Sequence, residues 1–311
     1  MMNKKKNKMK MISELHKVNT FTSSSHSHHS NPHFNFFVRD RCKSGNLGIE
    51  EAMGLFDNAI QMRPLPSIHP FTQLLGVLNK LNQYSTVISM FKSMASSRIR
   101  SNVITLSTLI NCFCEMGKVD FGFAVVGNIF KSGFEPNIFI FTTLLKGLFK
   151  ENRVKHAIKL FNKITENGYA CDDFTYGTMV DGLCKSGNVD KAFKLFQDME
   201  SGNCKSNIVV YSALIDGLCK DEQINKAQNL FEEMVSKGVV PNAFTYSSLI
   251  HSLCSSGRWN EVESYFDKMM NRGISPNVVT FNILIDAYYR EWVSEGLYLF
   301  AITLITDDQL P

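Results

Sequence analysis

No run of 18 or more apolar residues occurs in this 311-residue chain, although 44% of it is hydrophobic. Nothing in it has the length of a membrane-spanning helix. The apolar run Leu297–Ile305 is too short and follows the rhythm of the segments before it. A strongly basic body is missing too. The formal net charge is +4, but residues 1–32 carry Lys4, Lys5, Lys6, Lys8, Lys10 and Lys17 against Glu14 alone. The rest of the chain is therefore slightly acidic, and attraction for phosphate would have to come from local placement of Lys and Arg. Eight cysteines show no zinc spacing: Cys112 and Cys114 form a C-x-C with no second pair at a suitable distance. Cys114, Cys184, Cys219 and Cys254 lie inside apolar stretches, where a free thiol acts as a small buried hydrophobe. No metal motif, nucleophile–base set or phosphate loop is present, so neither an enzyme nor a cofactor is expected.

Residues 1–32 differ from the remainder. They are Lys-rich, then Ser-, Thr- and His-rich, and nearly free of acid. This composition resembles an organellar transit peptide. Such peptides favour Arg, whereas the first Arg here is Arg39; the alternative is a disordered basic tail. His26, His28, His29 and His33 lie in a polar tract without a second ligand cluster, and no metal site is expected there.

Self-comparison reveals a period of 35. Ile68, Val103, Ile138, Asp173, Ile208, Ala243 and Val278 each open a similar segment, with no insertion between them. In columns numbered 1 to 35, positions 4, 7, 8 and 11 are apolar, which is helical spacing. Near column 15 stands Gly or a polar residue (Gly117, Gly187, Gly257), a helix stop. A second apolar series follows at columns 20, 23, 24 and 27, as in Ala227, Leu230, Phe231 and Met234. Gly133, Gly168, Gly238 and Gly273 end it, with Pro136, Pro241 and Pro276 after three of them. Each unit is thus helix A, turn, helix B, turn. One hairpin cannot bury its apolar faces alone, so the expected fold is all-α, an α-solenoid of stacked helix-turn-helix repeats. The repeats are 68–102, 103–137, 138–172, 173–207, 208–242, 243–277 and an incomplete 278–311. Residues 33–67 read as a degenerate unit or cap, in which Ala52, Leu55, Phe56 and Met62 match helix B.

Four columns stand out on the polar side. Column 5 holds Thr72, Ser107, Thr142, Gly177, Ser212, Ser247 and Asn282, with no charge. Helical periodicity puts it on the face opposite the apolar stripe, where Lys and Glu would be better helix formers. Either these groups contact something read by hydrogen bonds, or they pack between hairpins. Column 35 holds Asn102, Asn137, Asp172, Asn207, Asn242 and Asn277, all good helix N-caps. Column 2 is apolar: Ile104, Phe139, Phe174, Val209, Phe244 and Val279 follow His69. Column 13 supplies the cations Lys80, Lys150, Lys185, Lys220 and Arg290, interrupted by Glu115 and Ser255. They are either a phosphate-facing stripe or solvated surface charge.

The period, the T-[YF]-x-x-L-I-x-x-L-C-K signature and the G-x-x-P-N/D ending resemble pentatricopeptide repeats of the P class, over about four-fifths of the chain. The "RPLPS" at Arg63–Ser67 is similar to the restorer-of-fertility-like subgroup of plants. The resemblance implies a right-handed superhelix that binds single-stranded RNA of an organelle, in mitochondria or alternatively plastids. It would act as a monomer, steering transcript processing, stability or translation, with a recruited processing nuclease as a further partner. Columns 5 and 35 would select one base per repeat, column 2 would sandwich bases, and column 13 would meet phosphates. A carboxylate in column 35 suits a ring N–H, as in G and U, while a carboxamide also donates. Thr72/Asn102, Ser107/Asn137, Ser212/Asn242 and Ser247/Asn277 then imply A, and Thr142/Asp172 implies G. Gly177/Asn207 is undefined and Asn282 leans to a pyrimidine, so the expected target is 5′-AAG-N-AA-pyrimidine. A protein-binding scaffold is the competing class, against which the uncharged column 5 and the Asn/Asp column argue. The pattern departs after Tyr289, where "REWVSEGLYLF" is one residue short and Gly296 replaces the expected Ala. A truncated, non-functional member of the family is therefore a further alternative.

Overall fold

The computed structural model describes residues 32–202 and 206–290, and all its regular elements are helices. The transit-like segment and the departure after Tyr289 lie almost wholly outside the described residues. Two compact units divide at Glu151 and Asn152, inside repeat 138–172.

The first unit contains α1 (Pro32–Lys43), α2 (Ile49–Gln61), α3 (Ile68–Lys80), α4 (Tyr84–Ser96), α5 (Val103–Glu115), α6 (Val119–Lys131) and α7 (Ile138–Lys150). The second contains α8 (Val154–Glu166), α9 (Asp173–Lys185), α10 (Val189–Ser201), α11 (Ile208–Lys220), α12 (Ile224–Ser236), α13 (Ala243–Ser255) and α14 (Trp259–Asn271), followed by helical residues 278–290. Helix A occupies columns 1–13 and helix B columns 17–29. In each unit consecutive A helices pack on one another, α1 on α3, α3 on α5 and α5 on α7, then α9 on α11 and α11 on α13.

The helices stop for a repeated reason. Column 15 adopts positive φ, whether it is Gly117, Gly187 and Gly257 or Asn82, Asn152 and Glu222. The next N–H then folds back to the carbonyl of column 11: Lys118 to Phe113 at 2.9 Å, Asn188 to Leu183 at 2.8 Å, Gln223 to Leu218 at 2.9 Å. This Schellman closure satisfies a carbonyl that the helix end would leave unpaired. Helix B closes likewise, with Phe134 N–H on Ile129 O and Val239 N–H on Met234 O.

Columns 4, 7, 8 and 11 form the interior. Leu144, Leu145, Leu148, Leu214, Ile215, Leu249 and Ile250 are almost completely buried, each burial contributing about 1.5–3 kcal/mol. A ring contact recurs between column 24 and column 4 of the following repeat. Phe56–Phe71, Phe161–Tyr176, Phe196–Tyr211 and Phe231–Tyr246 meet edge to face with centroids 5.2–5.6 Å apart.

Cys114, Cys219 and Cys254 are buried and Cys184 is partly so, and all are free thiols. Burial pushes the Cys112, Cys114, Cys184 and Cys219 thiols up to about 12, so they stay protonated and unreactive near neutral pH. Glycine makes room for two of them. A Cβ on Gly147 would lie 2.7 Å from Cys114 Sγ, and one on Gly217 would lie 2.5 Å from Cys184 Sγ. Column 10 of one A helix thus seats column 12 of its predecessor.

Candidate nucleic-acid interface

Column 35 caps helix A at every described repeat boundary from Asn102 onward. Asn102 Oδ1 accepts from Thr105 N–H at 2.9 Å, Asn137 from Ile140 at 3.1 Å, and Asp172 from Thr175 at 2.9 Å. Asn207 accepts from Val209 and Val210, Asn242 from Thr245 at 3.0 Å, and Asn277 from Thr280 at 3.0 Å. The structure therefore gives the column a structural role. The cap uses one terminal oxygen. The other terminal atom is an N–H donor in the five Asn residues and an oxygen acceptor in Asp172, so equal caps leave groups of opposite hydrogen-bonding character.

Column 5 is largely covered, as the packing alternative expected. Ser107, Thr142, Ser212 and Ser247 are 8%, 1%, 5% and 5% exposed, Gly177 is buried and Thr72 partly so; only Asn282 is exposed. Within each unit the neighbouring A helix covers this face, which the periodicity of one helix cannot reveal. The hydroxyls are also engaged. Thr72, Ser107 and Thr142 donate to the carbonyls of Ile68, Val103 and Ile138, one turn earlier, at 2.7–3.0 Å. Ser212 instead meets Thr245 Oγ1 at 2.7 Å, and Ser247 meets Thr280 Oγ1 at 2.8 Å.

Those threonines bring columns 5 and 35 of one repeat together. Thr245 Oγ1 donates to Asn242 Oδ1 at 3.0 Å, and Thr280 Oγ1 to Asn277 Oδ1 at 3.2 Å. The path Ser212–Thr245–Asn242 thus runs through column 3 of the next repeat, which sequence reasoning passed over. Its signal is Thr three residues after the cap, a capping-box spacing with Thr replacing the usual acid or amide.

Column 2 is open. Ile104, Phe139, Phe174, Val209, Phe244 and Val279 are 51–62% exposed, each two residues after a capping Asn or Asp. Large apolar side chains so placed form a repeated apolar shelf beside a polar group.

The cation column is engaged by acids. Lys150 Nζ reaches the carboxylate and carbonyl of Glu115 at 2.6 and 2.7 Å. Lys185 pairs with Asp181 at 2.8 Å, Lys220 with Asp216 at 2.6 Å and Arg290 with Asp286 at 2.7 Å. Lys80 is exposed. The expected stripe of positive charge is thus largely offset locally. These exposed pairs are worth about 0–1 kcal/mol each, so a polyanion could displace the acids. Among the described residues, no helix is long and apolar enough to cross a membrane, and no three His, Cys, Asp or Glu side chains gather as a metal site.

The profile of the PPR repeat family matches residues 136–185, 176–220, 206–255 and 248–290, and a single PPR repeat matches 104–134. Together these spans cover more than half of the chain. The chain belongs to the PPR repeat family. Its repeats are of P-class type. A mitochondrial pentatricopeptide repeat-containing protein of Arabidopsis thaliana is 38% identical over 104 residues, covering 33% of this chain and 16% of that protein. The chain therefore matches only a small part of this relative's length. The pentatricopeptide repeat protein PPR10 from maize shares the fold: TM-score 0.56, 21% identity, 93% of this chain and 48% of that one. A second PPR10 structure, in complex with an 18-nt psaJ RNA element, aligns with TM-score 0.53 and 21% identity over 97% of this chain and 53% of that one.

Proposed function

We infer that this PPR chain binds single-stranded RNA in a sequence-selective way, in an organelle, where it steers transcript processing, stability or translation. The column-2 shelf carries the reading. Six large apolar side chains would be an unfavourable surface for water alone, whereas bases stack on such groups at roughly 1–3 kcal/mol each. Beside every shelf residue stands a cap with a remaining donor or acceptor, which supplies the selective element. Binding of RNA by PPR10, which shares the fold, supports the assignment.

The target reading is 5′-AAG-N-AA-pyrimidine. Columns 5 and 35 (Thr72 to Asn282, and Asn102 to Asn277) select bases, and column 13 faces phosphate. The relative's mitochondrial designation and the basic residues 1–32 favour mitochondria over plastids, and the "RPLPS" segment favours the restorer-of-fertility-like subgroup. Selection from a random single-stranded RNA library with the purified chain tests the reading. Enrichment of a purine-rich core of that form is expected; an unenriched library after several rounds would overturn it.

A further inference from the structure

The geometry assigns Thr245 and Thr280 a role as positioning residues for base selection by Asn242 and Asn277. The proposal rests on the RNA-binding reading above and concerns how two repeats achieve selectivity.

Asn242 Oδ1 receives two bonds, from Thr245 N–H and from Thr245 Oγ1, both at 3.0 Å. Asn277 Oδ1 receives the same pair from Thr280, at 3.0 and 3.2 Å. A threonine hydroxyl has one proton. Because Thr245 gives its proton to Asn242, the 2.7 Å contact with Ser212 must have Ser212 as donor. The 2.8 Å contact between Ser247 and Thr280 is ordered in the same way. Every proton in each chain of three side chains then has one direction. The carboxamide is held with oxygen toward its helix and Nδ2 away from the cap, while the serine oxygen keeps only acceptor capacity. The two hydrogen-bonding capacities left over in these repeats therefore have fixed and opposite character: a donor from column 35 and an acceptor from the almost buried column 5. An adenine edge, with a ring acceptor beside an exocyclic amine donor, matches that pair in one fixed order; guanine presents the reverse order, a ring N–H donor beside an exocyclic oxygen acceptor.

Two other repeats lack the threonine, while in a third Thr175 Oγ1 donates to the carboxylate cap Asp172 Oδ1 at 2.6 Å. Ile140 stands in the threonine position after Asn137, whose Oδ1 accepts from the Ile140 N–H alone among the bonds described, and Ser107 turns to Val103 O at 2.7 Å. Val210 stands there after Asn207, where column 5 is Gly177. The natural occurrence of Val and Ile at this column shows that loss of the hydroxyl leaves the helix intact.

The test measures affinity of the full chain for RNAs carrying A or G opposite repeat 208–242, the fifth base of the proposed core. Wild type should prefer A. Thr245→Val should reduce the A-over-G ratio by about fivefold, the scale of one hydrogen bond, and Thr245→Ser should restore it. The reciprocal Ile140→Thr should raise the A-over-G ratio at the second base. A merely structural threonine would weaken A and G versions equally, so an unchanged ratio in Thr245→Val overturns the proposal. Wild type that ranks A and G alike at the fifth base overturns the base-reading assignment itself, and this proposal with it.

Discussion

At the residue scale, one atom decides what a column-35 side chain can offer. The Oδ1 of Asn242 is occupied by the start of α13, so exchange of Nδ2 for oxygen in Asn242→Asp leaves the cap in place. Asn and Asp cap comparably, and thermal stability should change little. The remaining group turns from donor to acceptor, and the base opposite repeat 208–242 should shift from A towards G. Loss of a good contact corresponds to about 1–3 kcal/mol. Fluorescence anisotropy with the two RNAs checks this; identical ranking by both proteins would leave the residue as a cap only. The capping role was legible in the sequence, because Asn or Asp directly before an apolar helical pattern marks a helix start. Burial of column 5 was one of two readings left open there. Ser212 is polar and lies off the apolar stripe of its own helix, but the neighbouring helix supplies Thr245 to cover it. A period of 3.6 describes one helix and carries no information about what packs against its far side.

At the scale of the element, helix A ends at a residue of positive φ in each repeat from 68–102 to 243–277. Gly117, Gly187 and Gly257 made the turn legible, since glycine reaches this region without a Cβ penalty. Glu222, at φ 60°, occupies the same turn, and Arg98, at φ 56°, the turn after helix B, without that advantage, and their sequence gives no warning of it. The repeat period alone locates them. The left-handed region costs an L-residue about 1–2 kcal/mol, partly offset on replacement by the greater chain entropy of unfolded glycine. Glu222→Gly should therefore stabilise the protein by roughly 0.5–1 kcal/mol, seen as a higher midpoint in urea. A lower midpoint would mean that Glu222 makes contacts worth more than the strain. The seat of Cys184 against Gly217 was likewise hidden, because the two are 33 residues apart and each looks like an unremarkable member of its own column.

At the scale of the whole molecule, the stacked helix pairs follow from the 35-residue period, and the boundaries of helices A and B fall where the apolar columns and turn residues place them. The electrostatics did not follow so directly. Column 13 reads as a cationic stripe, yet Lys185 and Lys220 are each paired with an Asp one turn earlier, so the acids moderate any pull on phosphate. Asp181→Asn combined with Asp216→Asn should tighten RNA binding and steepen its loss with salt, as two more cations become available to displace counterions. An unchanged salt slope would assign Lys185 and Lys220 to solvent. The central claim is that the chain reads unpaired bases. The most direct measurement titrates the purified chain with 5′-AAG-N-AA-pyrimidine RNA as a single strand, as the duplex, and as a single strand of shuffled sequence. Bases must be splayed out to be read. The single-stranded target should bind at least about tenfold more tightly than either competitor; equal affinity for all three would contradict the account.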